Sequence, residues 1–328
     1  MRSKRDARRY TRFVVVAATV AAAVGVGAIA ARGGQPMVDS ETSLAPDRVT
    51  SGLETLFSAS FENTGGNTLT NAEILVTLPA GAAFAFADPA VCTAGAAAQD
   101  GTILVSCPRG QMRTGTRFDQ QIVFKAPTVT SALPQTTTVK SRLIFNERDS
   151  DGNTGKQHVD TIFADAITSV HAVSRNLIGK CVSKSGETLS TAGIATSKDN
   201  LQITVATVPA NASQACSPVV LEEKPAGSEP ATCPTGVTCQ TEVSTTASPP
   251  FSVTSPVHLT FLIDGALFKK APDPATFVWY KNGIAVPNCA VGSTGATPDP
   301  CVESRGRHGS KGIALGVRWS GNDPSWQG

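Results

Sequence analysis

Phe57-Ser58-Ala59-Ser60-Phe61-Glu62-Asn63-Thr64-Gly65-Gly66-Asn67 is the stretch on which the reading of the fold turns. Phe57, Ala59 and Phe61 alternate with Ser58, Ser60 and Glu62, the period of a strand with one face buried. Asn63 to Asn67 then reverse the chain, because Gly and Asn accept positive φ at little cost. Working outward, Ile74, Val76 and Leu78 alternate in the next strand, and Pro79 ends it because proline cannot donate to a ladder. Ile103 and Val105 lead into Cys107. Phe118, Ile122 and Phe124 share one parity, as do Val139, Leu143 and Phe145, and Val159 to Ala166 is a further candidate. Short strands at this cadence, separated by turn residues, point to a sandwich.

The second half repeats the pattern. Leu201 to Val208 reads as a strand ended by Pro209, and a polar, Pro-rich stretch from Ser217 to Pro250 holds short strands such as Thr238 to Thr245. Val257, Leu259, Phe261 and Ile263 alternate. Phe277 to Lys281 runs into Asn282-Gly283, a strong hairpin signal. Ile313, Leu315, Val317 and Trp319 close the set, and the residues after them are expected to fray. The fold class is therefore all-β: an Ig-like β-sandwich over residues 51–170 and a second, Cys-rich β domain over 171–328.

The N-terminus addresses the chain. Arg2, Lys4, Arg5, Arg8, Arg9 and Arg12 form a basic head, followed by an uncharged run from Phe13 to Ala31. Basic residues stay cytoplasmic, so the rest should lie outside. Residues 1–31 are either a signal peptide, with Ala28-Ile29-Ala30 as its cleavage site, or a single membrane anchor through residues 13–31. The residues after Arg8-Arg9 lack the apolar pair of a twin-arginine signal. Residues 32–50 lack periodicity and read as a tether. The whole chain is +2, and residues 1–31 hold six bases and one acid, which leaves −3 for the exported part. A mildly acidic body without a basic stripe excludes nucleic acid as the expected partner.

All eight cysteines follow the export segment: Cys92, Cys107, Cys181, Cys216, Cys233, Cys239, Cys289 and Cys301. An even count in an exported chain reads as a disulfide framework. No C-x2-C pair stands beside histidines at zinc spacing. Neighbour pairing, 92–107, 181–216, 233–239 and 289–301, is the simplest of the possible connectivities.

Phe57 to Gly65, followed by Ile74-Leu75-Val76-Thr77-Leu78-Pro79-Ala80-Gly81-Ala82-Ala83-Phe84, resembles the conserved-repeat domain of bacterial surface and secreted proteins, over residues 51–127 and on toward 170. The resemblance implies an Ig-like fold and a stalk, spacer or adhesive role. It carries over no catalytic residue.

Asp149, Asp151, Asn153 and Asp160 occupy the first, third, fifth and twelfth places of a calcium loop. Thr154 stands where such a loop turns on Gly, and Asp, Asn and Gly are also turn formers, so a solvated acidic turn is the first reading. No G-x-S-x-G elbow appears, and His158, His171, His258 and His308 are isolated. Arg305-Gly306-Arg307-His308-Gly309-Ser310-Lys311 reads as a solvated basic loop, with anionic glycans or lipid head groups as the functional alternative. Parity places Trp279 and Trp319 in the core, and Trp326, past the last strand, is free to be exposed. The expectation is a structural or adhesive extracytoplasmic protein with no catalysis, partnered by a surface glycan or protein; the alternative is a secreted hydrolase acting on cell-wall or extracellular glycan.

Overall fold

The computed structural model describes residues 38–148, 154–158, 164–174, 176–191, 202–212, 215–224, 242–248, 251–321 and 325–327, with single positions 234, 237 and 239. The expected export segment 1–31, the four oxygen residues Asp149, Asp151, Asn153 and Asp160, and Cys233 lie outside the described residues. The described chain is a β protein with one 3-10 turn.

The first sandwich runs through β1 (Val38–Ala45), β2 (Arg48–Thr50), β3 (Glu54–Asn63), β4 (Leu69–Leu78), β5 (Ala83–Asp88), β6 (Thr93–Ala97), β7 (Ile103–Met112), β8 (Arg117–Lys125), β9 (Gln135–Arg148), β10 (Thr154–His158) and β11 (Ala164–His171). One sheet has the order β1-β3-β8-β5, the other β2-β11-β9-β4-β7-β6 with β10 on β9. Phe57, Ala59 and Phe61 face the core, as their alternation requires, and meet Ile74, Val76, Leu78, Ile122 and Phe124. Each such side chain contributes about 1.5–3 kcal/mol on burial.

Residues 38–50 are not a tether. β1 pairs along its whole length with β3, Val38 opposite Asn63 and Ala45 opposite Leu56, and β2 pairs parallel with β11. The strand was not legible because its inward positions after Val38 include Ser40 and Thr42, which carry no hydrophobic contrast. Of the candidate strand at Val159 to Ala166, residues 164–166 open β11 (Ala164–His171), and residues 159–163 lie outside the described residues.

Asn63 anchors the turn that opened the sequence reading. It is fully buried. Its Oδ1 accepts from the Gly65 amide at 3.0 Å, and its Nδ2 donates to the carbonyls of Asn67 at 2.8 Å and Met112 at 3.0 Å. A short side chain with both an acceptor and two donors is what three buried backbone groups need.

The second sandwich comprises β12 (Leu177–Ser183), β13 (Glu187–Ser190), β14 (Gln202–Val208), β15 (Cys216–Lys224), β16 (Glu242–Ala247), β17 (Val257–Ile263), β18 (Tyr280–Lys281), β19 (Ile284–Ala285), β20 (Cys301–His308), β21 (Gly312–Trp319) and β22 (Ser325–Gln327). Its sheets are β12-β15-β16-β22-β18-β19 and β13-β14-β17-β21-β20. Phe261 stacks on Trp279 at 4.4 Å between centroids, and Trp319 meets Trp326 edge-on at 5.7 Å. Trp326 is fully buried and β22 is paired on both sides, so it is not exposed and Ser325–Gln327 do not fray as expected.

Disulfides join Cys92 to Cys107, Cys181 to Cys216 and Cys289 to Cys301, the neighbour pairing for those six. Cys239 is also disulfide-bonded. Loops of 12 to 35 residues close in this way, each worth about 3 kcal/mol by restricting the unfolded chain.

The two sandwiches dock. Leu56 on β3 and Val123 on β8 stand opposite one another on the outward face of their sheet, yet both are buried, against Cys181, Ala215 and Cys216. The Gly179 amide donates to Thr50 Oγ1 at 2.9 Å, and the Ala215 amide to Gln121 Oε1 at 2.9 Å. Arg48 pairs with Glu222, Lys184 with Asp88 at 2.6 Å, and Lys180 reaches Glu54 at 3.6 Å and Glu187 at 2.7 Å. His171 sits at the same junction. Its Nε2 is 2.9 Å from Ser169 Oγ, and burial, then the charge of Arg48, hold its pKa below the ordinary value.

Candidate binding cleft

Strands β17, β21 and β20 lie side by side, with His258 opposite Arg318 and Arg318 opposite Cys301. The register of β20 slips between Val302 and Ser304, and Glu303 occupies the bulge. Bulges re-aim a side chain. Here the slip lays Glu303 across β21 at Gly316, where an added Cβ would come within 3.1 Å of Glu303 Cγ and 2.4 Å of Ser304 Oγ. The carboxylate thereby spans three strands. Its Oε1 is 3.1 Å from His258 Nδ1 and its Oε2 accepts from Arg318 Nε at 2.7 Å.

Beside it, Asn288 to Ser293 and Val302 to Arg305 bound a cleft of about 390 Å³. Cys289–Cys301 ties its two walls, and the Cys289 amide donates to the Val302 carbonyl at 2.9 Å. The Ser293 amide donates to Ala290 O at 3.0 Å, closing a turn at Gly292 with φ +79°. Arg318 also donates to the carbonyls of Ser293 and Gly295, and Arg305 to Asn288 Oδ1 and to Phe277 O at 3.3 Å. The cleft thus gathers two guanidinium groups and a carboxylate, each engaged with a neighbour in its walls or floor.

Burial raises the Glu303 pKa, but hydrogen bonds and charge from His258 and Arg318 outweigh it and hold the carboxyl below its ordinary range. A depressed folded value adds stability above the unfolded pKa, and that stability is lost as pH falls through the folded one. Glu303→Gln is therefore expected to cost about 1–3 kcal/mol near neutral pH, a gap that closes in acid when the wild-type carboxyl is itself neutral. Chemical denaturation across the acid range checks this; a gap independent of pH would refute it.

Glu223 is the other perturbed carboxyl. Burial pushes it up to about 7, against a donation from Thr191 Oγ1 at 2.5 Å. Such a value is suited to a general acid, but Glu223 lines neither the Glu303 cleft nor the clefts at Asp264–Lys311, Lys281–Pro300 and Thr50–Thr191. Its effect falls on stability. The unfolded chain releases the proton near 4.5 and the folded one near 7, so stability drops as pH rises through that window, by about 3 kcal/mol in all at ~1.4 kcal/mol per unit. Glu223→Gln is expected to match the wild type at pH ~4 and exceed it by up to that amount at pH ~8. Parallel stability curves would refute the assignment.

Of the histidines, the structure brings His258 into the Glu303 cluster and leaves His308 beside Lys311 and Asp264 in a second cleft. The basic stretch from Arg305 is not a plain loop: it forms β20 to His308 and a tight turn into β21. Glu303 and Arg318 were missed because a bulge that shifts parity by one leaves no mark in an alternating pattern. Among the described residues no three His, Cys, Asp or Glu side chains cluster as a metal site.

No protein-family model and no curated protein matches the chain. Among solved structures it is similar to the seventh ScaB type I cohesin of Pseudobacteroides cellulosolvens, at 13% identity over 40% of this chain and 92% of that one, TM-score 0.29. It is also similar to the cohesin module of the Clostridium perfringens family 33 glycoside hydrolase, at 14% identity over 42% and 99%, TM-score 0.28. AvmM, which catalyses macrocyclization in alchivemycin A biosynthesis, is similar at 11% identity over 44% and 96%, TM-score 0.26. Likenesses this weak carry no argument about function.

Proposed function

We propose that the protein is a non-catalytic extracytoplasmic binding and spacing module, in which two stapled sandwiches act as one stiff unit and the second presents the Glu303 cleft to a surface glycan or protein. The observation that carries this reading is the junction. A buried apolar cluster, two cross-sandwich hydrogen bonds to buried or half-buried groups and several ion pairs hold the halves together, where a loosely linked pair would show polar, sparse contact. Stiffness serves a spacer because it fixes the distance between what the two ends touch. The disulfides support an oxidising compartment, and the basic head with its apolar run supports export through residues 1–31.

The test has two parts. Thiol labelling of the product from intact cells, with and without reductant, is expected to find thiols only after reduction, and protease added outside the cells is expected to cleave it. A reduced, protected product in the cytosol would end the extracytoplasmic reading. A glycan and matrix-protein array is expected to show binding weakened by Arg305→Ala, and turnover of an arrayed glycan would replace the binding role with hydrolysis.

A further inference from the structure

Charge is divided unevenly between the two sandwiches. Residues 38–171 hold nine Lys and Arg against fourteen Asp and Glu, whereas residues 172–328 hold twelve against eleven. On the first sandwich the excess gathers on the outer face of β1, β3 and β8. Asp39 stands directly opposite Glu62, Glu41 opposite Ser60, and Asp119 one strand further on. Arg117, which bonds Glu41 at 3.0 Å and Asp119 at 2.9 Å, and Arg109, which donates to the Asp119 carbonyl, are the bases among them. Like charges opposed across strands cost stability, so Asp39 and Glu62 are placed to gain from an outside cation.

On the second sandwich the excess gathers along the rim by β20. Lys311 lies against Gly265 of the 3-10 turn Gly265–Leu267, whose added Cβ would meet Lys311 Cβ at 2.6 Å. Phe268 packs edge-on against Phe277 at 6.0 Å, and the Phe277 carbonyl accepts from Arg305. That chain of contacts sets Lys269, Lys270, Arg305, Arg307 and Lys311 on one rim. Lys269, Lys270, Arg307 and Lys311 are exposed and, among the described residues, form no ion pair. The nearby acids Asp264 and Asp273, which accept from the Ala266 and Ala275 amides, leave the five bases in excess.

The two patches cannot neutralise each other within one molecule. The junction grips β3 at Glu54 and Leu56, and Glu62 lies eight residues along the same strand, roughly 26 Å away at about 3.3 Å per residue. In the second sandwich the junction lies beside β12 and β13, while β20 is the opposite edge of the five-stranded sheet, four strand spacings or about 19 Å across. The docked sandwiches hold both patches outward.

We propose that copies of this chain associate head to tail, the acidic outer face of one first sandwich against the basic rim of the next second sandwich. The contact is heterologous: two different patches meet, so each copy keeps its other patch free and the association can extend. It names the partner for the module proposed above and rests on that reading only for the stiffness of the two-sandwich unit. A polyanionic glycan would suit the basic rim alone. A second copy accounts for both patches, which is why it is preferred.

Sedimentation velocity of the purified full chain, with a non-ionic detergent covering residues 13–31, tests this. At about 20 mM salt the sedimentation coefficient is expected to rise with protein concentration, and at about 300 mM, where the screening length falls below 8 Å, the rise is expected to vanish. Arg307→Glu with Lys311→Glu leaves both patches acidic; Asp39→Lys with Glu41→Lys leaves both basic. Each variant alone is expected to remain monomeric at low salt, and an equimolar mixture to associate, with circular dichroism showing both folded. The proposal is overturned if the wild type stays monomeric at low salt, if either variant alone still associates, or if the mixture does not. A monomer whose migration is retarded by polygalacturonate in affinity electrophoresis would assign the rim to a glycan instead. Cellular location is untouched by any of these results, so failure here and failure of the extracytoplasmic reading are separable.

Discussion

Gly179→Ala is expected to split the unfolding of this protein into two transitions. The glycine lies on β12, where that strand crosses β2 of the first sandwich, and its amide donates to Thr50 Oγ1. An added Cβ would stand 1.8 Å from the Arg48 carbonyl oxygen and 2.9 Å from its carbonyl carbon. Both are backbone atoms, so no side chain can rotate away, and β12 must retreat by about 1.5 Å in a close-packed contact. That retreat breaks the Gly179–Thr50 bond, draws Glu222 from Arg48 and opens the cluster of Leu56, Val123 and the Cys181–Cys216 bridge. Overpacking of this kind costs about 1–3 kcal/mol, and more where the backbone cannot yield. In calorimetry the wild type should unfold with the halves coupled and the variant with the halves apart. Gly66→Ala, at a site with open space around the added Cβ, is the control. One unshifted transition in Gly179→Ala would refute this, because it would show that the junction takes up the added Cβ without opening.

Trp326→Ala is expected to remove about 3–5 kcal/mol, the range for deleting a fully buried aromatic. The indole touches Trp319 and Phe261, its Nε1 donates to Thr245 Oγ1 at 2.7 Å, and Lys281 Nζ lies 5.2 Å above its ring. Its strand is also structural. β22 stands between β16 and β18, so the β18–β19 hairpin joins its sheet only through β22. Trp326→Phe keeps most of the packing and leaves Thr245 without its donor, so its loss should be nearer 1–3 kcal/mol. Urea titration of both variants measures the difference. A loss below about 1 kcal/mol for Trp326→Ala would mean the C-terminal strand adds little.

Much of this architecture was legible before any coordinates. Phe57, Ala59 and Phe61 alternate with small polar residues, and that alone commits β3 to one buried face. Pro79 and Asn282-Gly283 mark where strands end, and six cysteines pair with their neighbours because each pair closes a short loop. Where the reading failed, contrast was missing. β1 buries Ser40, and β22 is three residues long with a single apolar side chain, so neither stands out from loop. The Glu303 cluster was hidden for a different reason: its three members come from three strands, and the bulge that joins them is a change of register within the β20–β21 hairpin that side-chain alternation does not mark.

Alternation along a strand states that one face will be apolar; it cannot state what covers the other. Leu56 and Val123 break the polar parity of β3 and β8, and from the chain alone each is one more exposed hydrophobic residue on a sheet. Their burial depends on Cys181, Ala215 and Cys216 arriving from the second sandwich. Strand, turn and staple are local matters, settled by backbone sterics and by the spacing of side chains on a pleat. The junction, the place of Trp326 and the carboxylate laid across Gly316 arise from contacts between segments whose distance along the chain says nothing of their distance in space.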